Sequence, residues 1–177
     1  MTLIKKSTVH ELFSGEGWKI THEEATLPNG TVTKAGRAQT FDTAYLIALR
    51  NDRHVLILNE YRPFYGSYVW KLPTGKIKPA EDPAATAKRE LREETGFDAK
   101  HYKLLWSGQG TERLKAVDFF FLAEDLVPSP LPPDEDELME VHFQSLDKAI
   151  NTLLASPIVH TPSVYALMRF QRERWQG

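Results

Sequence analysis

Cysteine is absent from the 177 residues. That excludes disulfides, thiolate metal sites and a cysteine nucleophile, and it fits a reducing compartment. An excess of basic charge is also absent: 22 Lys and Arg face 24 Asp and Glu, for a formal charge of -2. A nucleic-acid partner would call for a clear positive surplus, so none is expected. No apolar run approaches the roughly 18 residues of a membrane span, and no membrane partner is expected. Met1–Lys6 has no long apolar core behind it, so a secretory leader is not expected either, and the expected location is the cytoplasm. There is no internal repeat and no G-x4-G-K-[ST] phosphate loop. Gly108-Gln109-Gly110 lacks the third glycine of a dinucleotide fingerprint. The six histidines show no paired metal spacing.

What is present is ordinary globular composition, at a length of about one domain. Around Leu27-Pro28-Asn29-Gly30 the chain reads as a hairpin, with Trp18–Ala25 and Thr31–Thr33 as its arms. Thr43–Leu49 and Val55–Leu58 are apolar runs of strand length. Tyr68–Leu72, Lys103–Trp106, Ala116–Ala123 and Met139–Phe143 read as further strands. A helix opens at Asp82, a good N-cap, with Pro83 in its first position, and stops at Gly96. Its apolar stripe is Ala84, Ala87 and Leu91. A second helix is capped by Ser145, carries Leu146, Ala149, Ile150, Leu153 and Leu154, and ends at Pro157. A third runs from Pro162 to about Trp175 with Val164, Leu167 and Met168 inward. Pro128–Glu137 reads as an acidic surface loop. The expected class is α/β, a mixed sheet with helices on its faces.

Charge is unevenly spread despite the balance. Ten of the 24 acidic residues fall within 81–94 and 134–140. On the first helix Glu90, Glu93 and Glu94 share a face, where like charges repel by a few tenths of a kcal/mol per pair. Arg89 offsets part of this. Hard carboxylate oxygens suit Mg2+, with Mn2+ as the alternative, and such ions also bind substrate phosphates. The implied chemistry is phosphoryl or pyrophosphate cleavage. Three Glu on one helix are more commonly a solvated face, but the pattern here is longer: Gly75, Glu81, Arg89, Glu90, Leu91, Glu93, Glu94, Gly96 and Phe97.

That pattern resembles the Nudix box, G-x5-E-x7-R-E-U-x-E-E-x-G-U, at every fixed position. Chance agreement at one register is on the order of one in a billion. The resemblance implies a Nudix α/β/α sandwich with an N-terminal β-hairpin extension over residues 1–40 and the hydrolase domain over 41–177. It implies Glu90 and Glu94 as principal metal ligands and Glu93 as a further ligand or a base. Glu81 would complete the cluster, and the Thr74 carbonyl would be an additional ligand. Arg89 would orient the glutamates, and Gly75 and Gly96 would serve the backbone.

Asn59-Glu60-Tyr61-Arg62-Pro63 and Trp70-Lys71-Leu72-Pro73-Thr74-Gly75 look like the ADP-ribose pyrophosphatase branch, which typically shows Q-Y-R and E-L-P-A-G there. Glu60, Lys71 and Thr74 depart from those elements. Ser107–Arg113 also lacks the proline often found beyond the box, which leaves GDP-sugars, other ADP-sugars and a non-nucleotide diphosphate open beside ADP-ribose. The branch implies a loop glutamate as catalytic base, by register Glu137 with Glu135 second, and a homodimer that exchanges its hairpins. Arg62 and Arg37 are candidates for phosphate or ribose, since a guanidinium fork matches phosphate oxygens. Tyr61, Trp18, Phe64 and Tyr68 are candidates for stacking. Two other functions stay open: hydrolysis of nucleoside triphosphates or dinucleoside polyphosphates, and a non-catalytic sensor of a nucleotide sugar.

Overall fold

The computed structural model describes residues 8–51, 54–132 and 137–174. The chain divides into two compact units, the described parts of Met1–Asp42 with Gly108–Asp118, and of Thr43–Ser107 with Phe119–Gly177.

The first unit is built on β1 (Thr8–Gly15), β2 (Trp18–Thr26) and β3 (Val32–Gln39), paired antiparallel in sequence. The Asn-Gly turn is where it was expected. Asn29 Oδ1 accepts from Thr31 N at 3.0 Å, and Gly30 takes φ 88°, a left-handed value that favours glycine. Strand β1 lies within the extension expected over residues 1–40, but its bounds were not picked out, because His10, Glu11 and Ser14 break any alternation of polar and apolar residues. The two long strands β8 (Phe97–Thr111) and β9 (Leu114–Pro128) contribute residues to both units, and β9 pairs parallel with β3 at Ala38↔Leu114. Both strands are longer than the 103–106 and 116–123 cores read from the sequence.

The second unit holds the strand order β9-β4-β5-β10, where β4 is Thr43–Asn51, β5 His54–Arg62 and β10 Met139–Ser145. Strand β6 (Ser67–Lys71) adds to β5, and β7 (Thr74–Lys76), a three-residue strand not anticipated, adds to β4. Helices α1 (Pro83–Thr95), α2 (Leu146–Leu154) and α3 (Thr161–Arg174) complete it.

Period-2 alternation along β4 and β5 explains the layers. Ala44, Leu46, Ala48, Leu56 and Leu58 point to one face and pack with Ala87 and Leu91 of α1. Tyr45, Ile47, Leu49, Val55 and Ile57 point to the other and pack with Ala149, Ile150 and Leu153 of α2 and Val164, Leu167 and Phe170 of α3. These strands are buried on both faces, which is why they read as continuous apolar runs. The expected α/β/α arrangement is what the second unit shows.

The helix signals were accurate at the ends and less so on the faces. Asp82 Oδ2 accepts from Ala84 N at 3.1 Å and Ala85 N at 3.0 Å, and Gly96 closes α1 at φ 76°. Ala84, however, is exposed; the buried side is Thr86, Ala87, Leu91, Glu94 and Thr95. Ser145 occupies the α2 N-cap but its side chain makes no capping bond, and α2 ends at Leu154, before Pro157. In α3 Met168 is exposed, not inward. The buried line runs through Ser163, Ala166, Leu167 and Phe170, at i, i+3, i+4 and i+7, which turns Met168 to the rim. Among the described residues no helix is long and apolar enough to cross a membrane.

Candidate active site

In the second unit, β5, β6, β7 and α1 bring a row of carboxylates together. The row begins with Arg89 on the first turns of α1. Its Nε and Nη2 contact Glu81 Oε1 and Oε2 at 3.1 and 3.4 Å. Its Nη1 lies 2.7 Å from both Glu93 Oε2 and Glu90 Oε1. Burial works against the guanidinium charge, but the three carboxylates outweigh it and hold the Arg89 pKa above its ordinary value. The hydrogen bond from Arg89 holds the Glu81 carboxyl below the usual range. Arg89 thus pairs with three carboxylates at once.

Glu90 is seated against the backbone of Gly75. A Cβ placed on Gly75 would stand 1.9 Å from both Glu90 Cδ and Oε1. Burial raises the Glu90 carboxyl, against the pull of Arg89, and the charges of Glu93 and Glu137 raise it further. Gly75→Ala is therefore expected to evict the Glu90 side chain. Turnover should fall at least tenfold with the melting temperature little changed, and a variant with wild-type turnover would sink this reading.

Glu94 sits differently from the sequence reading, which put it on one face with Glu90 and Glu93. Position 94 is seven residues beyond Ala87, so it falls on the buried side of α1. Glu94 Oε2 accepts from Thr74 N at 2.8 Å, and Oε1 from Lys71 Nζ at 2.8 Å. Lys71 Nζ also lies 2.7 Å from Glu60 Oε2, and Glu60 lies 3.0 Å from Arg62 Nη2. Glu60, Lys71 and Glu94 are all buried. Burial pushes the Glu94 carboxyl up to about 7, against the pull of Lys71 and of the Thr74 N–H. Burial likewise disfavours the Lys71 charge, but Glu94 and Glu60 more than compensate and raise its pKa.

Lys71 and Glu60 were seen in the sequence as departures from a motif, not as site residues. The available signal was strand alternation: Glu60 follows Leu56 and Leu58 on the α1 face of β5, and Lys71 follows Val69 on the same side of β6. An acid and a base at inward positions of adjacent strands must meet or remain unpaired.

The remaining candidates are placed as follows. Arg62 lines a cleft of about 470 Å³ with Phe64, Tyr65, Val69 and His160. Tyr61 is partly exposed and meets Tyr68 edge-on at 5.3 Å. Phe64 is fully exposed. Glu137 is exposed just before β10. Glu135 lies outside the described residues. Arg37 and Trp18 belong to the first unit, where Arg37 Nη1 pairs with Glu23 Oε2 at 3.3 Å.

The lead into β7 is held from α3. Leu72 N donates to Ser163 Oγ at 2.9 Å, and the same Oγ is hydrogen-bonded with His160 Nδ1 at 2.7 Å. Burial, together with the charges of Lys71 and Arg62, pushes the His160 pKa down to about 4. A histidine lowered from 6.5 to about 4 leaves the unfolded chain binding more protons between those values. The stability contributed by His160 is present in full above pH 6.5 and is lost as pH falls through that window, by up to roughly 3 kcal/mol. The unfolding free energy of the wild type relative to His160→Gln should therefore fall as pH is lowered from 7 to 4. A difference that does not change with pH would sink this reading of His160.

The donor set is entirely hard oxygen, which fits Mg2+ or Mn2+ and not a soft metal. Thr74 Oγ1 is buried with no hydrogen-bond partner beside Glu94, a spare oxygen at the same place. Among the described residues, no three His, Asp or Glu side chains already surround one point as a metal cage, since Arg89 and Lys71 hold these carboxylates. The residues fit a hard divalent ion that displaces part of the Arg89 ion pairs.

A family model for the NUDIX domain matches residues 40–164. The chain is 26% identical over 176 residues to an ADP-ribose pyrophosphatase of Bacillus subtilis (strain 168), covering 97% of this chain and 95% of the relative. It is also 26% identical over 174 residues to the methanol dehydrogenase activator of Bacillus methanolicus, covering 96% and 94%. A crystal structure of an ADP compounds hydrolase superposes with a TM-score of 0.80 at 23% identity, covering 100% of this chain and 99% of that one. At that identity the last match shows the fold alone.

Proposed function

The chain belongs to the Nudix hydrolases, which act on diphosphate bonds, and on that premise we propose that its substrate is a nucleoside diphosphate sugar, ADP-ribose foremost. Water would attack one phosphorus of the diphosphate and release AMP and ribose 5-phosphate. The observation that carries this reading is the gathering of Glu81, Glu90 and Glu93 around one arginine, with Glu90 wedged on Gly75 and Glu94 buried behind. The similarity to an ADP-ribose pyrophosphatase over nearly the full chain supports the substrate class.

Glu90, Glu93 and Glu94, with Glu81 and the Thr74 carbonyl alongside, would hold Mg2+ or Mn2+. When bound, the ion would neutralise phosphate charge and ease loss of a proton from the attacking water. Arg89 keeps the carboxylates in place. Arg62 supplies a guanidinium at the edge of the cleft for a phosphate or ribose oxygen, and Arg37 and Tyr61 are the further substrate contacts in this reading. Glu137 or Glu93 accepts the proton. Glu137 is the first choice by its register before β10, and the charges of Glu93 and Glu137 both act on Glu90. In this reading residues 1–40 form the extension, 41–177 the catalytic domain, and the enzyme is a cytoplasmic homodimer.

The test is a substrate panel with Mg2+, read by mass spectrometry. ADP-ribose should give AMP and ribose 5-phosphate, faster than GDP-sugars, nucleoside triphosphates or dinucleoside polyphosphates. Triphosphates cleaved much faster than any sugar nucleotide would overturn the substrate. Tight binding with no turnover of any member would point to a sensor.

A further inference from the structure

We propose that Lys71 is a resident cation of this site: its ammonium holds a place beside Glu94 that a divalent ion would otherwise take, so the protein binds one divalent ion fewer than it does without Lys71. The inference rests on reading Glu90, Glu93 and Glu94 as the metal-binding carboxylates.

The argument starts from which carboxylates have a cation already. Arg89 contacts Glu81, Glu90 and Glu93 and reaches neither Glu60 nor Glu94 in any ion pair. Those two, the most deeply buried acids among the described residues of the second unit, share Lys71, at 2.7 Å from Glu60 Oε2 and 2.8 Å from Glu94 Oε1. Each oxygen of Glu94 already accepts one proton donor, Oε1 from Lys71 and Oε2 from Thr74 N at 2.8 Å, so the second lone pair of Oε2 is what remains for the ion that Glu94 holds, and the Oε1 side is the place the ammonium keeps.

A magnesium-sized ion needs its oxygen ligands at about 2.0–2.1 Å in octahedral arrangement. An ion approaching Glu94 Oε1 would stand within a few ångströms of a fixed ammonium. In surroundings this dry that repulsion is large. The ammonium cannot swing aside into water, because Lys71 is a buried strand residue tied at its other end to Glu60, which Arg62 in turn holds at 3.0 Å. Lys71 is thus a positioning residue: it fixes the Glu94 side chain and settles how many ions the cluster admits, without touching substrate.

The test is a Mn2+ titration of the whole chain without substrate, with free Mn2+ read by electron paramagnetic resonance. Lys71→Gln should bind about one Mn2+ equivalent more than the wild type, whereas Lys71→Arg, which keeps the charge, should bind the wild-type number. Equal numbers in all three overturn the proposal. Should Lys71→Gln not fold, the double variant Lys71→Gln/Glu60→Gln leaves Glu94 as the one carboxylate of the buried trio, and the same gain is required of it. A wild type that binds no Mn2+ at all overturns the metal reading together with this proposal. Binding without the gain overturns the Lys71 assignment alone.

Discussion

Turnover of the Glu94→Gln protein is expected to fall by about a thousandfold or more in Mg2+, with the fold intact. A divalent ion stabilises a phosphoryl transition state by several kcal/mol, and each 1.36 kcal/mol is about tenfold in rate. Glutamine keeps the shape of the side chain. Its amide oxygen can still accept from either Lys71 Nζ or Thr74 N, the two donors that hold Glu94 at 2.8 Å each. Loss of the ion pair with Lys71 is offset in part by removal of a carboxylate that burial already pushes up to about 7. The melting temperature, followed by circular dichroism, should move by only a few degrees. Turnover within tenfold of wild type would remove Glu94 from the metal-binding carboxylates.

The largest expected loss of stability comes from Lys71→Met. Methionine fills the space but leaves Glu60 and Glu94 buried with no ammonium between them. Removing one partner of a buried pair costs about 3–5 kcal/mol. For a chain of this length that lowers the melting temperature by roughly 6–20 °C. The pH dependence has a definite sign. Without Lys71 the folded-state pKa of Glu94 rises further above its ordinary 4.5. A carboxyl raised on folding contributes its full stability below the unfolded value and loses it as pH climbs through the folded one. The deficit of Lys71→Met should accordingly be greatest near pH 8 and shrink as pH is lowered toward 4.5. A deficit under about 1 kcal/mol, or one that grows on acidification, would show that the trio is not held by charge.

How far the sequence foretold these features depended on the range of the interactions involved. The ends of α1 were legible because caps are local: Asp82 satisfies two N–H groups within three residues, and Gly96 adopts the left-handed turn itself. The double-faced burial of β4 and β5 was legible in their unbroken apolar runs. The position of Glu94 was not, because the three glutamates look alike as a helix face, and only the packing of α1 on β4 decides which is buried. Lys71 was missed for a related reason. A lysine in a short strand is ordinarily solvated, and its partners lie 11 and 23 positions away in sequence. Met168 was misplaced because the apolar line of α3 begins at Ser163, a polar residue recruited to bond Leu72 N and His160.

The register of β5 and β6, Leu58 opposite Lys71 and Glu60 opposite Val69, has a consequence for folding fidelity. A slip of one residue along this hairpin turns every β6 side chain to the opposite face. Lys71 would then enter the apolar layer where Trp70 now packs against the residues of α2 and α3, away from Glu60 and Glu94. Valine, leucine and tryptophan would tolerate the exchange with modest loss, since apolar groups are largely interchangeable in a core. An unpaired ammonium in that layer would not. The buried lysine therefore acts as an error check on strand pairing, rejecting a mispaired hairpin that hydrophobic patterning alone would let pass.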